Sequence, residues 1–197
     1  MNGLILEGTA EQAIIDILLE NKRLIFNEDE LIHSSKNDYY QVGLSAKNYQ
    51  GNFLRYEFDD EITIHVILDD PKRVLKLYNV DNLIYYVTRE EIEAIQLYAN
   101  PEWQRQYSKY VKRNSSGKLC KPSAFFKNSN EGLGIKDIKS YDFVYDLWSN
   151  NVNGLINAMK HVKQSMEKKR SIQKCLHNKK GKDIVDIEYK YLADLLK

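Results

Sequence analysis

The sequence contains no run of about 18 apolar residues, the length that a membrane-spanning helix requires. Glu7 interrupts the first apolar stretch, so neither a transmembrane helix nor a signal peptide is predicted, and we expect a cytoplasmic protein without a membrane partner. Its two cysteines, Cys120 and Cys175, share no close spacing with each other or with a histidine. A disulfide framework and a zinc site are therefore not predicted, and both cysteines are expected to be free thiols.

Several catalytic signatures are also missing. No serine or cysteine nucleophile stands out, and the glycine pair at 132–134 lacks the Lys-Ser/Thr of a phosphate-binding loop, so the chain has no ATPase motif of its own. His33, His161 and His177 have no partner at metal-ligand spacing. His65 lies inside an apolar strand, which favours a core histidine over a general base.

The 197 residues have room for one domain of typical size plus a helical appendage, and a hydrophobic content of 43% is enough to form a core.

Charge is distributed unevenly along the chain. Residues 1–100 hold 9 Lys+Arg against 18 Asp+Glu, a net charge of −9, whereas residues 101–197 hold 20 against 10, a net charge of +10. A basic half of this kind suits a polyanionic partner, because lysines release counterions from phosphates. The alternative is that two oppositely charged lobes attract each other.

Alternating strand and helix patterns predict an α/β fold over residues 1–100, with a mainly parallel sheet flanked by helices. Apolar runs at 3–6, 62–68 and 83–87 indicate strands. Thr9 is a candidate N-cap for a helix that ends at Asn21. Further helices are predicted over 48–58 and from Thr88 onward.

Residues 101–197 are predicted to form a basic helical region packed on the first. Trp103, Tyr107 and Tyr110 recur at helical spacing, which favours packing over a role as platforms for unpaired bases. The same alternative applies to Tyr39 and Tyr40. Two more helices are predicted around 143–148 and 155–159, and an amphipathic helix is predicted to contain Leu192, Leu195 and Leu196.

The segment from residue 160 to residue 182 contains nine basic residues and only one acidic residue, Glu167. This density suggests contact with the phosphates of DNA or RNA, although a basic run is also typical of a solvated surface. The candidate nucleic-acid-binding residues are Lys160, Lys163, Lys168, Lys169, Arg170, Lys174, Lys179, Lys180 and Lys182.

Acidic pairs follow three predicted strands. Ligands of open α/β sheets bind at the carboxyl ends of strands, and clusters of oxygen ligands suit Mg²⁺ or Mn²⁺. In the alternative, Glu11 and Glu91 are acidic residues in the first turns of helices, where they stabilise the helix dipoles, and Asp70-Pro71 forms a turn. The candidate metal ligands are Glu7, Glu11, Asp69, Asp70, Glu91 and Glu93.

Residues 4–11, a strand running into Glu-Gly-x-x-Glu, resemble the first motif of Toprim domains. In particular, they resemble the Toprim domains of overcoming-lysogenization-defect nucleases and of small phage-defence (abortive-infection) proteins. Residues 67–70 occupy the place of the Toprim Asp-x-Asp motif, and residues 91–93 are similar to an acidic segment of these proteins. The resemblance covers roughly residues 3–100 and implies a divalent-metal fold used in primases, topoisomerases and nucleases.

One departure from the Toprim pattern is Pro71, which stands at the second aspartate position and cannot ligate a metal. One metal ion is therefore favoured over two. The resemblance implies that Glu7 acts as ligand or base, that Asp69 and Glu11 hold Mg²⁺, and that Glu91 or Glu93 completes the shell.

The function predicted on this basis is a metal-dependent nuclease for DNA or RNA in phage defence, with Glu7 and Asp69 as its catalytic residues. An ATPase partner subunit is common in the systems it resembles. The alternative is a noncatalytic, degenerate Toprim-like protein that binds nucleic acid or a partner protein.

Overall fold

The α/β architecture is confirmed: an all-parallel sheet is flanked by helices on both faces. The computed structural model describes residues 1–56, 58–70, 73–88, 90–114, 120–173 and 189–197, with the backbone alone for 168–173 and 189. Within these ranges the sheet has five strands, which are β1 (Asn2–Leu6), β2 (Gln41–Val42), β3 (Thr63–Leu68), β4 (Asn82–Val87) and β5 (Tyr189–Lys190).

The strands lie in the order β2-β1-β3-β4-β5, and every neighbouring pair is parallel. The central register places Leu6 opposite Ile67 and Leu68 opposite Val87. Since parallel strands point the same way, β1, β3 and β4 end at one edge of the sheet. This carboxyl edge carries the predicted acidic pairs.

Seven α-helices surround the sheet in the described ranges. They are α1 (Thr9–Glu20), α2 (Ala46–Asn52), α3 (Glu91–Leu97), α4 (Pro101–Arg113), α5 (Pro122–Lys127), α6 (Tyr141–Trp148) and α7 (Val152–Gln173). Short 3₁₀ turns span Glu28–Glu30 and Leu192–Leu195.

Several predicted helix boundaries are corrected by local chemistry. The helix predicted from Thr88 begins at Glu91 and ends at Leu97, and the helix that carries Trp103 starts at Pro101, where the Asn100 side chain accepts from the N–H of Glu102. Gly8, not Thr9, is the N-cap of α1. The helix predicted over 48–58 ends at Asn52, and the helix predicted around 192–196 is a 3₁₀ turn.

Both faces of the sheet are buried, which explains why its strands read as nearly continuous apolar runs. One face packs Leu4, Leu6 and Tyr86 against α1, α3, α6 and α7. The opposite face packs Ile5 and Val66 against a smaller cluster that includes residues of α2. The result is a layered core around the sheet.

The two regions divided at residue 100 share this core. Trp148, Leu155 and Met159 belong to the same buried cluster as Leu4 and Leu6. Strand β5 extends the sheet beside β4, and Leu196 forms an antiparallel bridge with Leu24. Residues from both sides of position 100 therefore contribute to the main buried cluster.

The aromatic face of α4 is used for packing. Trp103 meets Phe126 edge-on, with ring centroids 5.6 Å apart, and Tyr107 and Tyr110 both contact Phe125. In a separate interface, the α1 carboxylate of Asp16 accepts hydrogen bonds from Tyr40 and Tyr141. These aromatic side chains hold helices together.

No helix in the described part of the chain is long and apolar enough to cross a lipid bilayer. Cys120 is a free, half-buried thiol, and Cys175 lies outside the described residues.

A histidine links three strands in the middle of the sheet. His65 on β3 is 2% exposed; its Nδ1 lies 3.0 Å from the Tyr86 hydroxyl and its Nε2 lies 3.1 Å from Asn2 Oδ1. A neutral imidazole with its proton on Nε2 satisfies both contacts, donating to Asn2 and accepting from Tyr86. Burial, together with the positive charge of Lys190, lowers the pKa of His65 from 6.5 to about 4.

We expect His65 to make the protein less stable as the pH falls. Unfolded His65 takes up a proton near pH 6.5, whereas folded His65 does so only near pH 4, so the free energy of unfolding decreases between these values. The decrease due to this residue is up to about 3 kcal/mol, since one pKa unit corresponds to about 1.4 kcal/mol. Urea unfolding from pH 7 to pH 4 measures it.

The control compares two histidine variants over the same pH range. His65→Gln is expected to lose this part of the pH dependence, whereas His33→Gln, which changes an exposed histidine, keeps it. Equal slopes for the wild type and His65→Gln would contradict the assignment.

Candidate functional site

The first part of the site joins the ends of β1 and β3. The N–H of Glu7 donates to the carbonyl of Ile67 across 2.9 Å, and the N–H of Asp69 donates to Glu7 Oε2 across 2.5 Å. Arg73 Nη1 lies 3.0 Å from the other oxygen, Oε1. The Glu7 carboxylate thus lies directly beside Asp69, with a guanidinium on its outer side.

Glu11, in the first turn of α1, turns back toward the same edge. It is 5% exposed, and its Oε1 accepts a hydrogen bond of 2.9 Å from the Thr88 hydroxyl at the end of β4. A Cβ on Gly8 would lie 2.8 Å from Glu11 Oε2, so a larger residue at position 8 would require the end of the Glu11 side chain to shift.

Glu93, on α3, forms an ion pair with Lys139, which lies in the loop before α6; Nζ and Oε1 are 3.2 Å apart. The other oxygen of Glu93, Oε2, is buried and makes no hydrogen bond within the described residues. The Lys139 charge also acts on Glu11 and Asp69. Lys139 is therefore the cation at the centre of this acidic cluster.

The pKa directions reflect this crowding. Burial raises the pKa of Glu11 and the charge of Asp69 adds to the effect, while hydrogen bonds from its own backbone and Thr88, and the charge of Lys139, act against it. Burial lowers the pKa of Lys139, but the charges of Glu93, Asp69 and Glu11 outweigh it and the net shift is upward. Lys139 is accordingly held in its charged form.

Two predicted ligands lie elsewhere. Glu91 is fully buried, and its Oε2 faces the backbone N–H of Leu192 at 3.4 Å, away from Lys139. Glu91 and Glu93, two residues apart on α3, cannot share one helix face. Asp70 is exposed just beyond Asp69, and Pro71 lies outside the described residues.

The donor chemistry of the edge suits a hard cation, but the described residues do not form a finished metal shell. Among them, no group of three or more His, Cys, Asp or Glu side chains is placed to hold a metal ion. Oxygen ligands are what Mg²⁺ and Mn²⁺ prefer, and Glu93 Oε2 is a buried acceptor without a partner in this part of the chain. An ion would have to attract Glu7 away from Arg73 and share the carboxylates with Lys139.

The predicted nucleic-acid-binding residues are described only in part. Lys160 is exposed on α7, whereas Lys163 is paired with Asp194 and also lies 3.7 Å from Glu167. The side chains of Lys168, Lys169 and Arg170, and all of Lys174, Lys179, Lys180 and Lys182, lie outside the described residues.

Sequence reasoning missed three side chains of the site. Thr88 directly follows β4, so the rule that selected Asp69 after β3 could have found it. Arg73 and Lys139 stand in loops, and no local pattern marks them.

No protein-family model, no curated protein and no solved structure matches this chain.

We expect Glu11→Gln to stabilise the protein near pH 7. A raised pKa means that ionisation of Glu11 costs stability as the pH rises above about 4.5, and an amide removes that charge while its oxygen still accepts from Thr88. The expected gain at pH 7 is about 1 kcal/mol, a common size for a single stabilising substitution. Urea unfolding at pH 4 and pH 7 measures it.

Asp146→Asn is the matched control, because it neutralises an exposed carboxylate on α6. Its stability should follow that of the wild type at both pH values. A Glu11→Gln protein less stable than the wild type at pH 7 would show that the ionised carboxylate is a net stabilising group.

Proposed function

We propose that the chain is a metal-dependent phosphodiesterase that cleaves DNA or RNA at the carboxyl edge of its sheet. The observation that carries the proposal is the charge of this edge: four carboxylates meet two cationic side chains there. Four carboxylates and two cationic side chains leave a net charge of −2, which one divalent cation would neutralise. The carboxylates are Glu7, Glu11, Asp69 and Glu93, and the cations are Arg73 and Lys139.

Each residue has a distinct role in this proposal. Glu11 and Asp69 would hold Mg²⁺ or Mn²⁺, with Glu7 as a further ligand or as the base; the ion supplies a polarised phosphate oxygen and an activated water when bound. Lys139 and Arg73 would bind the other phosphate oxygens and stabilise the negative charge that grows on them during cleavage. Glu7, at the open side of the edge, is the group best placed to accept a proton from the attacking water.

The cellular setting is also proposed, on the resemblance of residues 4–11 and 67–70 to Toprim motifs. A nuclease of this type would act in phage defence with an ATPase partner subunit that supplies the missing nucleotide-hydrolysis motif.

A second candidate is a noncatalytic, degenerate Toprim-like protein that binds nucleic acid or a partner protein. One observation favours it: Lys139 already supplies a positive charge to Glu93, Glu11 and Asp69. In that case the lysine takes the place of the metal, and the cluster serves folding only.

Cleavage assays with Mn²⁺ distinguish the two functions. We expect the wild type to cut single- or double-stranded DNA or RNA, and Glu7→Gln and Asp69→Asn to lose at least about 100-fold in rate, the size typical when one group of the catalytic electrostatics is removed. Each assay is paired with a Mn²⁺ titration of thermal stability, because an ion that binds the folded state raises the melting temperature.

The control is again Asp146→Asn, which should cut and bind Mn²⁺ like the wild type. If the wild type neither cuts nor gains stability from Mn²⁺, the noncatalytic function stands. If both edge variants cut as fast as the wild type, the site lies elsewhere.

Salt dependence tests the basic segment. For duplex DNA the logarithm of the binding constant should fall with the logarithm of salt concentration by about 0.9 per phosphate contact. Changing Lys168, Lys169, Arg170 and Lys174 together to Gln should reduce that slope by up to about 4. Lys163→Gln, which removes a lysine already paired with Asp194, should leave it unchanged. Equal slopes for the wild type and the fourfold variant would exclude phosphate contact by this segment.

A further inference from the structure

A pocket of about 440 Å³ lies between α3, α4, α7 and the start of α5, beside the candidate site. Its volume falls in the range of small-molecule sites in proteins. The apolar part of its wall includes Leu97 from α3 and Met166 from α7, and its polar part includes Gln104, Ser108 and Ser165.

Two tyrosines give the pocket flat surfaces. Tyr98 is 38% exposed and stacks on His161, with ring centroids 5.7 Å apart and ring planes nearly parallel, at 4° to each other. Tyr107 is fixed by a hydrogen bond of 2.6 Å from its hydroxyl to the carbonyl of Cys120. Rigid aromatic walls and a thioether suit a flat, heteroaromatic ligand.

An ion pair between Glu90 and Lys121 lines the same pocket. Both side chains are partly exposed, at 44% and 37%. Glu90 has a positive φ of 62°, a conformation that a non-glycine residue keeps only when its surroundings hold it there, and such residues concentrate at functional sites. The pair therefore presents a carboxylate acceptor next to an ammonium donor.

We propose that this pocket binds an unstacked guanine base. The Watson–Crick edge of guanine offers two neighbouring donors, N1–H and N2–H₂, next to the acceptor O6. A carboxylate such as that of Glu90 accepts from both donors, and Lys121 donates to O6. Adenine and the pyrimidines do not present this order of groups, and single-stranded bases are the ones whose Watson–Crick edges proteins read in this way.

The pocket adjoins the acidic edge through α3. Glu93 and Leu97 are four residues apart on α3 and so lie on the same side of that helix; Leu97 lines the pocket and Glu93 pairs with Lys139. The next step rests on the proposed function. A guanine bound in the pocket would hold a single-stranded nucleic acid so that a phosphate of that strand lies beside Glu93 and Lys139. The base itself binds without metal.

Methionine methyl groups provide the test. The chain has three methionines, of which Met166 lines the pocket and Met159 is fully buried in the core. With ¹³C-methyl methionine and no divalent metal, guanosine monophosphate and a guanine-containing single strand should shift the Met166 resonance and leave Met159 unchanged. The monophosphates of adenosine, cytidine and uridine should bind at least about tenfold more weakly, and inosine monophosphate, which lacks the 2-amino group, should lie between.

Two variants make the test specific. Ala94→Phe fills the pocket from α3 and should abolish the shift, and Glu90→Gln should remove the preference for guanosine over adenosine monophosphate. Lys109→Gln, an exposed change on α4, should bind like the wild type. An unmoved Met166, or equal binding of all four nucleotides, overturns the guanine site even if the protein cuts nucleic acid. A shift with guanine in a protein that does not cut keeps the site and rejects the phosphodiesterase.

Discussion

Three parallel strands, β1, β3 and β4, hydrogen-bond in a register that leaves their carboxyl ends level. Because side chains alternate along each strand, this register buries both faces and turns the residues after each strand into one shared edge. Glu7, Asp69 and Thr88 meet for this reason, although up to 81 positions separate them along the chain. A slip of one residue in the register of any of these strands would move the site residues apart and would also turn core side chains toward solvent.

The strands and the acidic edge could be predicted because their signals are local. Runs of branched apolar residues specify buried strands, and the carboxyl-edge rule then places Glu7 and Asp69 side by side. Lys139 could not be predicted, since it reaches the edge from a loop whose position depends on how α6 packs against α1. Glu91 was indistinguishable from Glu93 in sequence, and only the rotation of α3 directs one toward Lys139 and the other toward Leu192.

The charge division of the sequence is reflected in ion pairs of the fold. Lys121 pairs with Glu90 and Lys139 with Glu93, so basic side chains from the second half neutralise acids from the first. Mutual attraction between the halves is thus a physical feature of the structure. These two ion pairs involve only two of the basic side chains of the second half.

Strand β5 has a consequence for biosynthesis. It pairs with β4, and the turn that follows it places Leu192 and Leu195 in the main core and joins Leu196 to Leu24. A nascent chain lacking residues 189–196 therefore leaves one side of β4 unpaired and part of the core open to water. Such intermediates attract other strands. The sheet and the main core therefore close only when residues 189–196 have docked beside β4.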